Sequence, residues 1–220
     1  TSKEKIDLSI EIAERERELL SHIDYENGYS LYVGIPFCPS ICLYCSFGSH
    51  PLERWTKRVD EYLDTLCKEL TFIREQMGAR KLTTVYIGGG TPTTLEPEQL
   101  RRLLSHIQET FDFTWVKEYT VEAGRPDSIT REKLQVMKEF PVTRISVNPQ
   151  TMNQKTLDVI GRKHTVEDTI NIFHMARELE FDNINMDLII GLPGEGKEEV
   201  AHTLQEVEKL HPDSLTIHSL

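Results

Sequence analysis

Apolar residues recur along this chain in two alternating rhythms, short near-continuous runs and longer stretches with helical spacing. The runs Ser30–Ile35, Thr83–Ile87, Glu118–Glu122, Arg144–Val147, Ile184–Ile190 and Ser214–His218 read as β-strands. Most are apolar almost throughout, which predicts parallel strands covered on both faces. Between them the spacing turns helical. Val59, Tyr62, Leu63, Leu66, Leu70 and Ile73 mark a helix over Trp55–Met77, and Leu100, Leu103, Leu104 and Ile107 mark one over Pro97–Phe111, with Pro97 suited to a first turn. Further helices are predicted near Thr130–Phe140, from the capping box Thr165-Val-Glu-Asp168 to about Glu180, near Lys197–Leu210, and as a leading helix near Leu8–Ile23. Repeated βα units of this kind fit a doubly wound sheet or a partial barrel.

Each strand is followed by Gly, Pro or polar residues: Gly34-Ile-Pro36, Gly88-Gly-Gly-Thr-Pro92, Gly124-Arg-Pro126, Asn148-Pro-Gln150 and Gly191-Leu-Pro-Gly194. Both folds build their sites from loops at the carboxyl ends of parallel strands, so the special residues are expected on one rim.

Composition narrows the function. The 220 residues are 38% hydrophobic, enough for a substantial core. The net charge of −11 makes nucleic acid a poor partner, since an acidic surface repels phosphates. No apolar run approaches the ~20 residues of a membrane span. The charged stretch Glu11–Leu20 lacks a signal-peptide core, so the expected location is cytoplasmic. A start at Thr1 rather than Met is expected of a piece of a longer chain.

Three of the four cysteines fall in Tyr32-Val-Gly-Ile-Pro-Phe-Cys38-Pro-Ser-Ile-Cys42-Leu-Tyr-Cys45, a C-x3-C-x2-C loop directly after the first strand. A disulfide framework does not suit a cytosolic domain of this size, and a zinc site would want a second pair of ligands. Three thiolates on one loop can each hold one iron of a 4Fe-4S cubane and leave the fourth iron open, as a catalytic centre requires. Cys67 lies beside an apolar helical stripe and reads as a small core residue.

The C-x3-C-x-aromatic-C motif resembles the signature of the radical S-adenosylmethionine (SAM) superfamily. The resemblance implies that SAM chelates the open iron and that an electron from the cluster cleaves it to methionine and a 5′-deoxyadenosyl radical. It implies an α/β fold, a partial (β/α)6 TIM-like barrel over residues 30–220, preceded by a short N-terminal helix in a lead-in over residues 1–29. On this reading Gly88-Gly-Gly-Thr-Pro92 resembles the segment that binds the SAM amino group. Glu122, at a strand end, can pair with the SAM ammonium, Gln150 with ribose hydroxyls and Arg162 with a carboxylate. Asp187 within Ile184–Ile190 is a carboxylate in a buried strand, which needs a partner or a ligand.

Tyr-Val-x-Ile-Pro-Phe-Cys, Gly-Gly-Gly-Thr-Pro-Thr, Gln150, Arg162 and Asp187-Leu-Ile-Ile-Gly-Leu-Pro193 together resemble the oxygen-independent coproporphyrinogen III oxidase family. Glu122-Ala-Gly-Arg-Pro-Asp127 and Asn148-Pro-Gln-Thr-Met152 are similar to its coproporphyrinogen dehydrogenase branch. Members bind two SAM molecules. The resemblance assigns Cys38, Cys42 and Cys45 to the cluster, and Tyr32, Gly89 and Glu122 to the cluster-bound SAM, with Tyr32 and Glu122 catalytic. It assigns Tyr44, Gly90, Thr91, Gln150, Arg162 and Asp187 to the second SAM, and Ser46 joins the cofactor-binding set. The implied reaction is oxidative decarboxylation of coproporphyrinogen III, a step of haem biosynthesis, with a flavodoxin or ferredoxin as electron donor. The family's last barrel helix and C-terminal domain are expected beyond Leu220. The best-known oxidases have a fourth cysteine where Phe47 stands and a histidine where Gly34 stands. The haem-chaperone branch also lacks that cysteine, so a haem chaperone is the alternative, followed by a two-SAM radical methyltransferase.

Overall fold

The computed structural model describes residues 2–24 and 26–220. Thr1 and Tyr25, which fall in the expected lead-in, lie outside the described residues.

The chain opens with helix α1 (Lys3–Leu20), capped by the Ser2 hydroxyl and burying none of its side chains. Strand β1 (Gly28–Ile35) runs into the cysteine loop. Two short strands, β2 (Phe37–Cys38) and β3 (His50–Pro51), pair in parallel and close that loop at its base. Helices α2 (Leu52–Trp55) and α3 (Val59–Met77) follow, separated by a 3-10 turn at Thr56–Arg58. Next come β4 (Lys81–Gly89), α4 (Pro97–Thr110), β5 (Glu118–Gly124), α5 (Arg131–Lys138) and β6 (Arg144–Val147). The chain ends with α6 (Gln154–Val159), α7 (Val166–Glu178), β7 (Ile184–Ile190), α8 (Lys197–Leu210) and β8 (Ser214–Ser219).

Six strands form one parallel sheet in the order β1-β4-β5-β6-β7-β8, with β1 and β8 at its open edges. Each strand lies next to its successor in the chain, with no reversal of order. A doubly wound sheet needs such a reversal, so this is the partial (β/α)6 barrel.

The strands are not apolar on both faces, as their sequence suggested. One row from each of the first five strands of this sheet, including Val33, Ile87, Val121, Ile145 and Met186, is buried under the helices with Leu63, Leu70, Leu100, Leu104 and Phe173, whereas the edge strand β8 buries none of its side chains. The alternate row, facing the inside of the half-barrel, holds Tyr32, Tyr86, Glu122 and Asp187. The register sets Tyr32 beside Tyr86, and period-2 alternation then carries the polar row across the sheet. The structure therefore offers a polar concave wall beneath the rim.

Helix ends follow their sequence signals. Thr165 and Asp168 form the expected reciprocal cap of α7, with Asp168 N–H on the Thr165 hydroxyl at 3.0 Å and Thr165 N–H on the Asp168 carboxylate at 2.7 Å. The leading helix starts earlier than the apolar pattern implied, because its cap is Ser2, and it ends at Leu20. Among the described residues no helix is long and apolar enough to cross a membrane.

Candidate functional site

A cavity of about 340 Å³ opens at the carboxyl ends of the strands. It is lined by Cys38, Cys42, Cys45, Tyr44, Ser46, Gly89, Gly90, Thr91, Glu122, Gln150, Arg162 and Asp187, which is every site residue read from the sequence except Tyr32. Tyr32 lines an adjoining cavity of about 360 Å³ that shares Gly89, Gly90 and Phe47 with the first. Tyr32 is 63% exposed, and its ring stacks on Tyr86 at 5.9 Å.

All three loop cysteines are free thiols, Cys38 and Cys42 buried and Cys45 half-buried. The loop is tied down by backbone bonds, Cys45 N–H to Cys42 O at 3.1 Å, Leu43 N–H to Ile160 O at 3.0 Å and His50 N–H to Pro36 O at 2.7 Å. Two thiols meet polar hydrogens, Cys38 from the Thr91 hydroxyl and Cys42 from Arg125 Nη1, each at 3.6 Å. Among the described residues no three Cys, His, Asp or Glu side chains converge on one ion position. A cubane does not ask for that convergence, since each thiolate binds its own iron. Cys67 sits apart on α3, half-buried, with its thiol pushed up by burial.

The glycine triplet packs directly on this loop. Gly90 N–H donates to Ile35 O at 2.7 Å and Thr91 N–H to Phe37 O at 2.8 Å. A Cβ on Gly90 would stand 2.7 Å from Phe37 O and 3.0 Å from Cys38 Sγ, so only glycine lets the backbones approach this closely.

Glu122 ends the polar row of β5. Its carboxylate accepts from Asn148 Nδ2 at 3.2 Å and from Tyr86 Oη at 3.5 Å. Burial, reinforced by Asp187, pushes its carboxyl up to about 7. Asp187 accepts from Asn185 Nδ2 at 2.7 Å, and Asn185 is held in turn by Ser214 and Thr216. Gln150 sits at φ 70, a left-handed conformation unusual for a side chain of its size. It is fixed there by pairing with β7, Gln150 N–H to Asp187 O at 3.0 Å and Ile189 N–H to Gln150 O at 2.9 Å. Arg162 Nη2 donates to the Tyr44 hydroxyl at 2.9 Å, and burial pushes that phenol up to about 12.

Several buried polar atoms near the cavity have no partner in the protein: Arg162 Nε and Nη1, Gln150 Oε1 and Asn148 Oδ1. Unpaired groups of this kind are costly unless a ligand or water completes them. Sequence reasoning missed Ser40, Arg125, Asn148 and His218 on the cavity wall. It also missed His164, 1% exposed with both ring nitrogens unpaired and pushed down to about 4, chiefly by burial. Only the polar residue after a strand signalled such positions, and of these residues Arg125 and Asn148 carried that signal.

A cysteine loop after the first strand and a polar ring on one rim of a half-barrel define a class, and the family model of the radical SAM superfamily matches residues 32–207. The chain belongs to that superfamily. Within it, the chain is 46% identical to the oxygen-independent coproporphyrinogen-III oxidase-like protein HemZ of Bacillus subtilis, over 99% of this chain and 44% of the relative. It is 38% identical to the heme chaperone HemW of the same organism, over 87% of this chain and 50% of the relative. The solved structure of Escherichia coli coproporphyrinogen III oxidase (HemN), a radical SAM enzyme, superposes with a TM-score of 0.81 at 32% identity, covering 88% of this chain and 44% of that one. The chain thus spans about half the length of the curated relatives it matches.

Proposed function

We propose that residues 30–220 are the core of a radical SAM oxidoreductase in which Cys38, Cys42 and Cys45 hold a 4Fe-4S cluster. The observation that carries this reading is the convergence of three free thiols and a set of unpaired buried donors and acceptors on one cavity. SAM offers the matching groups: a carboxylate for Arg162 Nε and Nη1, and an ammonium and ribose hydroxyls for Gln150 Oε1 and Asn148 Oδ1. A cluster held by Cys38, Cys42 and Cys45 would supply the single electron for reductive cleavage of the SAM sulfonium.

The protein's own residues do the positioning. Glu122 is held in a setting that resists its charge, and a cation beside it restores the carboxylate. Tyr32 and Tyr86 form an exposed aromatic wall beside the cavity, where substrate can lie. Ser46, Gly89, Gly90, Thr91 and Asp187 complete the cofactor pocket. The substrate we assign is coproporphyrinogen III, with two propionates oxidatively decarboxylated to vinyls, and a flavodoxin or ferredoxin in the cytoplasm as electron donor. Likeness to the HemZ and HemN proteins supports this choice. The test is an anaerobic assay of the full-length protein with SAM, reductant and coproporphyrinogen III. Vinyl product supports the assignment, and deoxyadenosine release without vinyl product rejects this substrate.

A second reading has one observation in its favour. Phe47 is 72% exposed beside the cluster loop, where the best-known oxidases have a cysteine, and a heme chaperone is among the relatives. Stable haem binding with no porphyrinogen conversion would favour a chaperone.

A further inference from the structure

The proposed function leaves one buried ion pair beside the cysteine loop without a role. Arg125 and Asp127 follow β5, with side chains only 4% and 16% exposed. Their contact is two-pronged, Arg125 Nε to Asp127 Oδ1 at 2.9 Å and Nη2 to Oδ2 at 2.7 Å. The third nitrogen, Nη1, turns the other way, into the cysteine loop. It donates to Ser40 O at 3.0 Å and Ser40 Oγ at 2.9 Å, and lies 3.6 Å from Cys42 Sγ. The Ser40 hydroxyl passes the tie on to Gly161 O at 3.3 Å.

This arrangement is directional. Asp127 saturates one edge of the guanidinium and fixes its plane, so Nη1 is directed at Ser40 and Cys42. The pair's positive end faces a cluster ligand and its negative end faces away. In a buried site such a charge is weakly screened. Adding an electron to a cluster makes it more negative, and hydrogen bonds and nearby cations at the ligand sulfur favour that state. The Thr91 hydroxyl at Cys38 Sγ makes the same contact without a charge.

We propose that Arg125, oriented by Asp127, is a positioning residue that fixes the Cys38–Cys42 segment and raises the reduction potential of the cluster held through Cys42. The inference rests on the reading that the three cysteines hold a cluster.

The experiment compares full-length wild type with Arg125→Gln, Arg125→Lys, Asp127→Asn and Thr91→Val, all reconstituted without oxygen. Iron and sulfide are counted, and the midpoint potential is read by EPR during a reductive titration. Arg125→Gln should move the midpoint to more negative values, Arg125→Lys should move it less, and Thr91→Val should move it less than Arg125→Gln. Asp127→Asn should move it the opposite way, because the cation then acts without its counter-charge. Opposite shifts from the two halves of one ion pair are not produced by loosened packing alone. Unmoved midpoints in variants that hold full iron, or shifts of one common sign, overturn the inference. If Arg125→Gln loses its cluster, the Arg125→Lys and Asp127→Asn midpoints decide the matter by the same signs. A wild type that takes up no cluster refutes the underlying reading as well, whereas a loaded wild type with unmoved variants refutes the inference alone.

Discussion

Replacing Glu122 with Gln should make the cluster-free protein more stable at alkaline pH and leave it nearly unchanged in mild acid. The folded carboxyl is raised from 4.5 to about 7, mainly by burial and then by Asp187. Between those values the folded state binds a proton that the unfolded chain has released, so this residue's contribution to stability falls as pH rises through the window. The full displacement corresponds to ~3 kcal/mol at pH 8, where the carboxylate is ionised in both states. At pH 5 the same residue costs under ~1 kcal/mol, because the folded carboxyl is still neutral. Gln is close to isosteric and never charges, but it gives up one acceptor where Asn148 and Tyr86 now donate, at about 1 kcal/mol. The net expectation is a variant more stable than wild type by ~2 kcal/mol at pH 8 and within ~1 kcal/mol of it at pH 5. Urea unfolding of both proteins at the two pH values measures this directly. A stability difference that does not change with pH, or a variant weaker than wild type at pH 8, would refute the reasoning.

Other expectations follow from the packing. Gly90→Ala forces a methyl against Phe37 O and Cys38 Sγ, so it should destabilise by ~1–3 kcal/mol and lower cluster uptake, read by thermal melting and iron content. Leu104→Ala empties a fully buried position under the sheet and should cost ~2–5 kcal/mol in urea unfolding while iron uptake of the folded fraction stays at the wild-type level. Tyr62→Phe removes the hydroxyl that donates to Gly34 O at 2.5 Å and should cost about 1 kcal/mol. A cost no greater than that of an exposed Tyr→Phe control would show that this bond does not support β1.

The barrel was legible because its strands and helices differ in hydrophobic period, and its rim because Gly, Pro and polar residues follow each strand. Cys38, Gly90, Glu122, Gln150 and Asp187 meet at one cavity although they come from separate βα units, since every strand delivers its end to the same edge. Other features were not legible. The short strands at Phe37–Cys38 and His50–Pro51 are too brief to show a period. Asn185 in β7 sits among Ile and Met, so Asp187 stood out there as a single buried carboxylate and the polar inner row as a whole did not show. Arg125 showed only as a polar residue after a strand, because its meaning lies in contacts with Ser40 and Cys42, which only the fold brings to it. Tyr32 lines the adjoining cavity, which shares Gly89 and Gly90 with the one that gathers the other site residues.

The most direct test of the whole account is an iron and sulfide count on full-length protein reconstituted without oxygen. Wild type and Cys67→Ala should carry a full 4Fe-4S complement, while Cys38→Ala, Cys42→Ala and Cys45→Ala should each lose most of it. Wild-type iron in any of those three variants, or an equal loss in Cys67→Ala, would contradict the claim that this loop holds the cluster.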